Sequence, residues 1–162
     1  MARRLLLVPL ALALGWFGVG YVVRLFASDE TKIRWLVEQM EEAYNTGRPG
    51  TCVGPLARNW RHQGSEIDRE LLLGALFQTA RDRDKETRQL RSRVEVDADA
   101  AAIAVEGERA TLVLEAVFSR LRQGEWSETW RARLEAELED TDDGWKIVTS
   151  RHQDLGGTHL GR

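Results

Sequence analysis

The clearest hydrophobic pattern in the chain has a period of two and runs from residue 126 to residue 138. Apolar side chains alternate with charged or hydroxyl side chains, and Glu128 is the only exception. Because successive side chains of a strand point to opposite faces, this segment is predicted to be a strand with one dry and one wet face. The predicted dry face consists of Trp126, Trp130, Ala132, Leu134, Ala136 and Leu138, and the predicted wet face consists of Ser127, Thr129, Arg131, Arg133, Glu135 and Glu137.

Similar alternation predicts four more strands, over residues 89–99, 102–106, 109–121 and 145–152. Glycine-containing turns separate the last three of the five, which favours consecutive antiparallel hairpins. The strand over 109–121 carries Val113 and Val117 on its second face and is therefore apolar on both sides. Such a strand is either central in the sheet or meets a partner on its outer face.

Two helices are predicted before the strands. The first begins after a Ser28 cap, has apolar residues at helical spacing between positions 33 and 44, and ends at Gly47. Residues 48–64 are turn-rich, with a short helical turn expected around Leu56 and Trp60. The second helix is predicted to start at a capping box over residues 65–68 and to continue to about residue 80.

The N-terminal residues 5–23 form an uncharged apolar run with arginines on both sides. A helix of about 19 residues spans roughly 28 Å, close to the hydrocarbon thickness of a bilayer. We expect a single-span membrane anchor over 1–27, a folded domain over 28–155 and a flexible tail over 156–162. The alternative is a cleaved signal peptide, although residues 25–27 fit a cleavage site poorly. The short basic leader favours a bacterial inner-membrane protein with its domain in the periplasm.

Composition excludes several functions. The net charge of −3 and the lack of a basic cluster argue against nucleic-acid binding. Cys52 is the only cysteine, which excludes an intrachain disulfide and is most simply interpreted as a small buried apolar residue. No metal-ligand spacing, phosphate loop or dinucleotide fingerprint occurs, so neither a metal nor a cofactor is expected.

Two helices followed by antiparallel strands that end in Asp143-Gly144-Trp145-Lys146-Ile147-Val148 resemble the nuclear transport factor 2-like superfamily, including its SnoaL-like members. The resemblance covers about residues 29–155. It implies an α+β fold in which a curved antiparallel sheet wraps around N-terminal helices to form a cone with a pocket at its wide end. Members include enzymes, ligand binders and assembly modules, and many dimerise through the outer sheet face. Members often carry a His six residues after the Trp; here Arg151 has that position and His152 follows, so a β-bulge would be needed to restore the register.

Three polar residues are candidates for chemistry. Glu128 interrupts the predicted dry face and could be a base with a raised pKa, or could simply reach solvent or pair with an arginine. Arg151 shares a face with Trp145 if its strand is regular, where it could bind an anion or lie over an aromatic ring. His62 lies in the region expected to rim the pocket, or is a surface histidine.

The tryptophans Trp60, Trp126, Trp130 and Trp145 either fill the core or line a pocket for a small apolar ligand. The tether and the lack of a catalytic motif favour a non-enzymatic, membrane-anchored binding or assembly module, with a protein partner or a second copy on the outer sheet face. The alternative is a small-molecule isomerase, dehydratase or hydrolase that uses a pocket acid or base. A hollow cone with convergent titratable groups would favour ligand chemistry, and a filled cone would favour assembly.

Overall fold

A computed structural model describes residues 27–157, which form three helices and one six-stranded sheet. The prediction of an α+β domain is confirmed. The helices are α1 (Asp29–Thr46), α2 (Pro49–Val53) and α3 (Arg69–Arg81), and the strands are β1 (Leu56–His62), β2 (Ser92–Val96), β3 (Ala102–Glu106), β4 (Arg109–Arg122), β5 (Glu125–Thr141) and β6 (Gly144–Gly157).

The long helix α1 is bounded as the sequence predicts. The Ser28 hydroxyl accepts a hydrogen bond from the Thr31 N–H (3.3 Å), and Asp29 and Glu30 lie at the positive end of the helix dipole. Gly47 ends the helix with φ of 70°, a left-handed conformation that glycine adopts without steric cost. Near this end the Asn45 side chain bonds both the N–H and the C=O of Val94 (2.8 and 2.7 Å), which ties α1 to edge strand β2.

The sheet has the order β1-β6-β5-β4-β2, and β3 pairs with the other end of β4. All pairs are antiparallel except β1, which lies parallel to β6 at the edge. The sheet is curved and does not close. Bulges interrupt the β4–β5 and β5–β6 ladders, and each bulge bends its strand.

The core lies between the inner face of the sheet and α1 and α2. Alternate residues of β4 enter it, and Ile33, Val53 and Leu138 are almost completely buried there. Cys52 is also buried, as predicted.

Two local predictions are wrong. The segment around Leu56 and Trp60 is strand β1 rather than a helical turn. The cap of α3 is Asp68, whose carboxylate accepts from the Glu70 and Leu71 N–H groups, whereas Ser65 accepts from Ile67 N–H in the turn before it. Strand β6 continues to Gly157, two residues past the predicted domain end.

The predicted anchor over residues 5–23 and the end of the predicted tail lie outside the described residues. Within 27–157, none of the helices has the length and apolar character that crossing a bilayer requires.

Candidate ligand-binding cavity

A cavity of about 470 Å³ lies between the inner face of the sheet and helices α1 and α3. Its wall is formed largely by apolar side chains from all three helices and from every strand except β3. Another hollow, of about 1130 Å³, lies outside the cone between α1 and the β5–β6 hairpin and is lined by many charged side chains, including Lys32, Glu42 and Lys146. The apolar, inward cavity is the better site for a small molecule because pockets of 300–1,000 Å³ with few polar groups are typical ligand sites.

Aromatic rings form one side of the cavity. The rings of Phe118 and Trp130 stack with centroids 4.7 Å apart, and the Tyr44 ring meets Phe118 edge to face at 6.0 Å. The Tyr44 hydroxyl pairs with the Ser92 hydroxyl (3.1 Å), so the polar end of this ring is satisfied within the protein. Aromatic side chains from α1, β4 and β5 therefore make up this side of the apolar wall.

A pair of histidines lies at the more exposed end of the cavity. His62 ends β1, and His152 lies on the neighbouring strand β6. The Nε2 of His62 lies 2.8 Å from the Nδ1 of His152, and the Nδ1 of His62 lies 3.1 Å from the Oγ of Ser150. The His152 side chain is 30% exposed, so the pair joins the cavity to solvent.

A bulge at Val148 brings this group together. Leu138 pairs with Ile147, but Glu137 pairs with Thr149, which leaves Val148 without a partner in the β5–β6 ladder. Beyond the bulge the side chains change face. Ser150 and His152 pair with the inward residues Ala136 and Leu134, and both line the cavity. The bulge required to place His152 on the inner face is therefore present.

The same bulge makes the strand irregular and moves Arg151 off the face that carries Trp145, so the placement expected for a regular strand does not occur. Arg151 pairs with Glu135 on the outer face, where its Nε donates to a carboxylate oxygen at 2.8 Å. Its exposed guanidinium is held by that carboxylate and cannot bind an anion within the cavity.

A second bulge favours the solvent-exposed interpretation of Glu128 over the interpretation as a pocket base. Phe118 pairs with Trp130 and Ser119 pairs with Glu128, so Thr129 is the extra residue and the alternation reverses before it. Glu128 is exposed on the outer face and forms two hydrogen bonds with Arg131 (3.1 and 2.9 Å). These bonds lower the pKa of Glu128, the opposite of what a pocket base would need.

The tryptophans divide between the two interpretations. Trp130 lines the cavity, and so does Trp60, which is 4% exposed on β1. Trp126 lies on the outer face beneath the Arg93 guanidinium (4.6 Å), because the bulge at Thr129 separates it from Trp130. Trp145 belongs to the core at the far end, where its indole N–H donates to Asp29 (3.3 Å).

Burial favours the neutral forms of three groups in the wall of the cavity. It lowers the pKa of His62, and the charge that His152 can carry lowers it further. Burial also raises the pKa of Tyr44, and it raises the pKa of the Cys52 thiol to about 11. Within the described part of the chain, no three potential ligating side chains are grouped in a way that could hold a metal ion.

Sequence reasoning named His62 but missed Ser150 and Tyr44 as parts of the site. No sequence pattern distinguishes Tyr44, at the end of the apolar stripe of α1, from an ordinary core residue, or Ser150, in the last strand, from an ordinary surface residue. Only the geometry of two adjacent strands, β1 and β6, brings Ser150 and His62 into contact.

Comparisons with known proteins support the fold. The sequence matches no protein-family model and no curated protein. Among solved structures, a nuclear transport factor 2-like protein with a cystatin-like fold from Novosphingobium aromaticivorans superposes with a TM-score of 0.67 and 18% identity, over 87% of this chain and 90% of that one. A nuclear transport factor 2-like superfamily protein from Salmonella enterica gives a TM-score of 0.57 and 17% identity, over 83% of this chain and 96% of that one.

A further similar structure is a nuclear transport factor 2-like protein from Rhodospirillum rubrum, described as having an unknown function in nutrient uptake. It gives a TM-score of 0.57 and 16% identity, over 76% of this chain and 98% of that one. Identities this low carry information about architecture alone. The chain therefore has the nuclear transport factor 2-like α+β fold.

Proposed function

We propose that this protein is a membrane-anchored module that binds a small, largely apolar molecule in the cavity of its domain. The observation that carries the proposal is the hollow cone: about 470 Å³ of space with largely apolar walls and a hydrogen-bonded histidine pair at one end. A domain used only for assembly would gain stability by filling this space with side chains, because empty apolar cavities cost free energy.

The tether is supported by the apolar run over residues 5–23, which precedes α1 by only a few residues. The start of α1 contacts the β5–β6 hairpin through the Asp29–Trp145 hydrogen bond, whereas Tyr44 near its other end lines the cavity. An anchored domain of this kind would hold the Tyr44 end of the cavity wall roughly 22 Å from the anchored end, because 15 helical residues separate Asp29 from Tyr44. In a bacterial inner membrane this end would face the periplasm.

Ligand binding can be tested on the full-length chain in lipid nanodiscs by isothermal titration calorimetry with naphthalene, using empty nanodiscs as the blank. We expect saturable binding by the unmodified protein. Ala136→Phe directs a ring into the cavity from β5 and should weaken binding at least about tenfold, since it occupies the ligand's volume.

Val113→Phe is the matched control, because it adds the same ring to the outer face of the adjacent strand β4. It should bind naphthalene as the unmodified protein does. Equal loss in both variants, or heat no greater than that of empty nanodiscs, would contradict the proposed function.

A second candidate function is catalysis by a cavity base, favoured by the hydrogen-bonded chain from Ser150 through His62 to His152. Neutral imidazoles near pH 7 are effective proton acceptors. The base would take a proton from carbon, leaving the electron pair on an adjacent carbonyl as an enolate, and a solvent-derived proton would return to carbon.

Deuterium exchange separates catalysis from simple binding. In D₂O, 2-tetralone exchanges its α hydrogens for deuterium with no other bond changed, and proton NMR measures the rate. An enzyme should accelerate exchange over the empty-nanodisc rate, and His62→Gln should reduce that acceleration by about a hundredfold. If exchange proceeds at the empty-nanodisc rate while the ligand still binds, the catalytic function is wrong and only the binding function stands.

We also infer that the outer face of the sheet meets a protein partner, most simply a second copy of the chain. Val113 and Val117 lie on this face among arginines and glutamates that already form ion pairs, such as Arg133–Glu135 and Arg131–Glu128. Arginine-rich surfaces with apolar residues between the charges are common at protein interfaces.

A further inference from the structure

A chain of polar groups runs from the cavity wall to the protein surface along β1 and β6. Ser150 Oγ, the two ring nitrogens of His62 and the Nδ1 of His152 are joined by contacts of 3.1 and 2.8 Å. The next group outward is the carboxylate of Asp154, whose Oδ1 lies 3.7 Å from the Nε2 of His152. The Trp130 indole N–H donates to the same oxygen at 2.9 Å, which fixes the carboxylate as an acceptor.

The Asp154 carboxylate lies beyond hydrogen-bond distance of His152, but its negative charge favours one direction for the two hydrogen bonds of this chain. A neutral imidazole has one donor and one acceptor nitrogen. The Asp154 carboxylate favours the tautomer of His152 with hydrogen on Nε2, so its Nδ1 accepts from Nε2–H of His62. The Nδ1 of His62 is then an acceptor and receives the hydroxyl hydrogen of Ser150.

The inner end of the chain therefore presents an acceptor to the cavity. Ser150 Oγ lines the cavity and its hydrogen points to His62, so only its lone pairs remain for a ligand. A ligand group that also has only lone pairs, such as an ether or carbonyl oxygen, finds no donor at this position. A hydroxyl or N–H group can donate to Ser150 without changing any other bond.

The charges around the cavity act against anions. Among the described residues that line it there is no lysine or arginine, and of its two acidic residues Glu41 lies on α1 while Glu135 directs its carboxylate to the outer face. The nearby Arg151 is held by Glu135 on the outer face. A carboxylate or phosphate would lose its hydration on entry and gain no opposite charge in return.

We propose that the cavity selects a neutral, mainly apolar molecule that carries a hydroxyl or N–H donor, with phenols as the simplest class, and that it excludes carboxylates. This selectivity rests on the proposed ligand-binding function, since it describes the preference of the same cavity.

Four ligands with the same ring system test the preference on the full-length chain in nanodiscs at pH 7.5: naphthalene, 2-naphthol, 2-methoxynaphthalene and 2-naphthoate. We expect 2-naphthol to bind about three- to tenfold more tightly than naphthalene, the effect of one additional neutral hydrogen bond. The methoxy compound has the oxygen without the hydrogen, so it should gain no affinity over naphthalene. The naphthoate should bind more weakly than all three.

Substitutions at the inner end locate the effect. Ser150→Ala removes the acceptor and should abolish the difference in affinity between 2-naphthol and naphthalene. Ser150→Thr keeps the hydroxyl and should keep that difference. Each variant is compared by the ratio of two ligands, so a general change in fold or cavity size affects both affinities and leaves the ratio unaltered.

The outcomes separate this inference from the function on which it rests. If naphthalene binds but 2-naphthol gains nothing, if the methoxy compound matches 2-naphthol, or if the naphthoate binds best, the selectivity is wrong and the binding function stands. If none of the four ligands binds, both are wrong.

Discussion

Two single residues, Val148 and Thr129, decide which side chains reach the cavity. Each is an unpaired residue in a β-ladder, and each reverses the inward and outward alternation of the strand that carries it. Val148 brings His152 inside and sends Arg151 out, and Thr129 sends Glu128 and Trp126 out. The backbone hydrogen-bond register at these two bulges therefore determines which side chains face the cavity.

The protonation of His62 should make stability depend on pH. Its folded-state pKa lies below that of the unfolded chain, because burial and the adjacent His152 disfavour the charged ring. The unfolded state therefore binds more protons as the pH falls below about 6.5, and the folded state loses stability over that range. The other groups that face His62 are Ser150 and, beyond His152, the Asp154 carboxylate.

Thermal unfolding of the full-length chain at pH 7.5 and pH 5.0 measures this effect. His62→Gln should show a smaller decrease in melting temperature between the two pH values than the unmodified protein shows. The exposed residue Gln63 provides the control. The melting temperature of Gln63→Ala should decrease between the two pH values by as much as that of the unmodified protein. An identical pH dependence in His62→Gln would assign the acid sensitivity to other groups.

The elements differ in how far the sequence predicts them. The strands β3, β4 and β5 and helix α1 have strong periodicity, and their positions agree with the predictions. Strand β1 was missed because only Leu56 and Trp60 are well buried in it, and residues four positions apart share a face in both a helix and a strand. As an edge strand parallel to β6, it also lacks the hairpin turn that marks its antiparallel neighbours.

The bulges could not be predicted from the sequence for a related reason. Neither Val148 nor Thr129 has a conformational requirement that its residue type reveals, such as a glycine at positive φ. The resemblance to nuclear transport factor 2-like proteins did give a hint, since His152 comes one residue later than the histidine that members often carry, as one inserted residue would explain. The contact between His62 and His152 depends on the pairing of strands from opposite ends of the domain, which no local pattern encodes.

For the whole molecule, two exposed surfaces compete as the interface with a second copy. One is the outer sheet face that carries Val117. The other is α3, where Leu71 and Phe77 are 60% and 48% exposed. We expect a dimer through the sheet face, because it can extend over several long strands, whereas α3 offers one helix of 13 residues.

Light scattering of the detergent-solubilised full-length chain, corrected for bound detergent, distinguishes the two surfaces. Val117→Arg places a charge in the centre of the sheet face and should convert the dimer to a monomer, because an unpaired buried charge at an interface costs several kcal/mol, roughly 2–5. Leu71→Arg is the matched control on α3 and should remain a dimer. Dissociation by Leu71→Arg alone would assign the interface to α3, and a dimer that survives both substitutions would assign it to residues outside the domain.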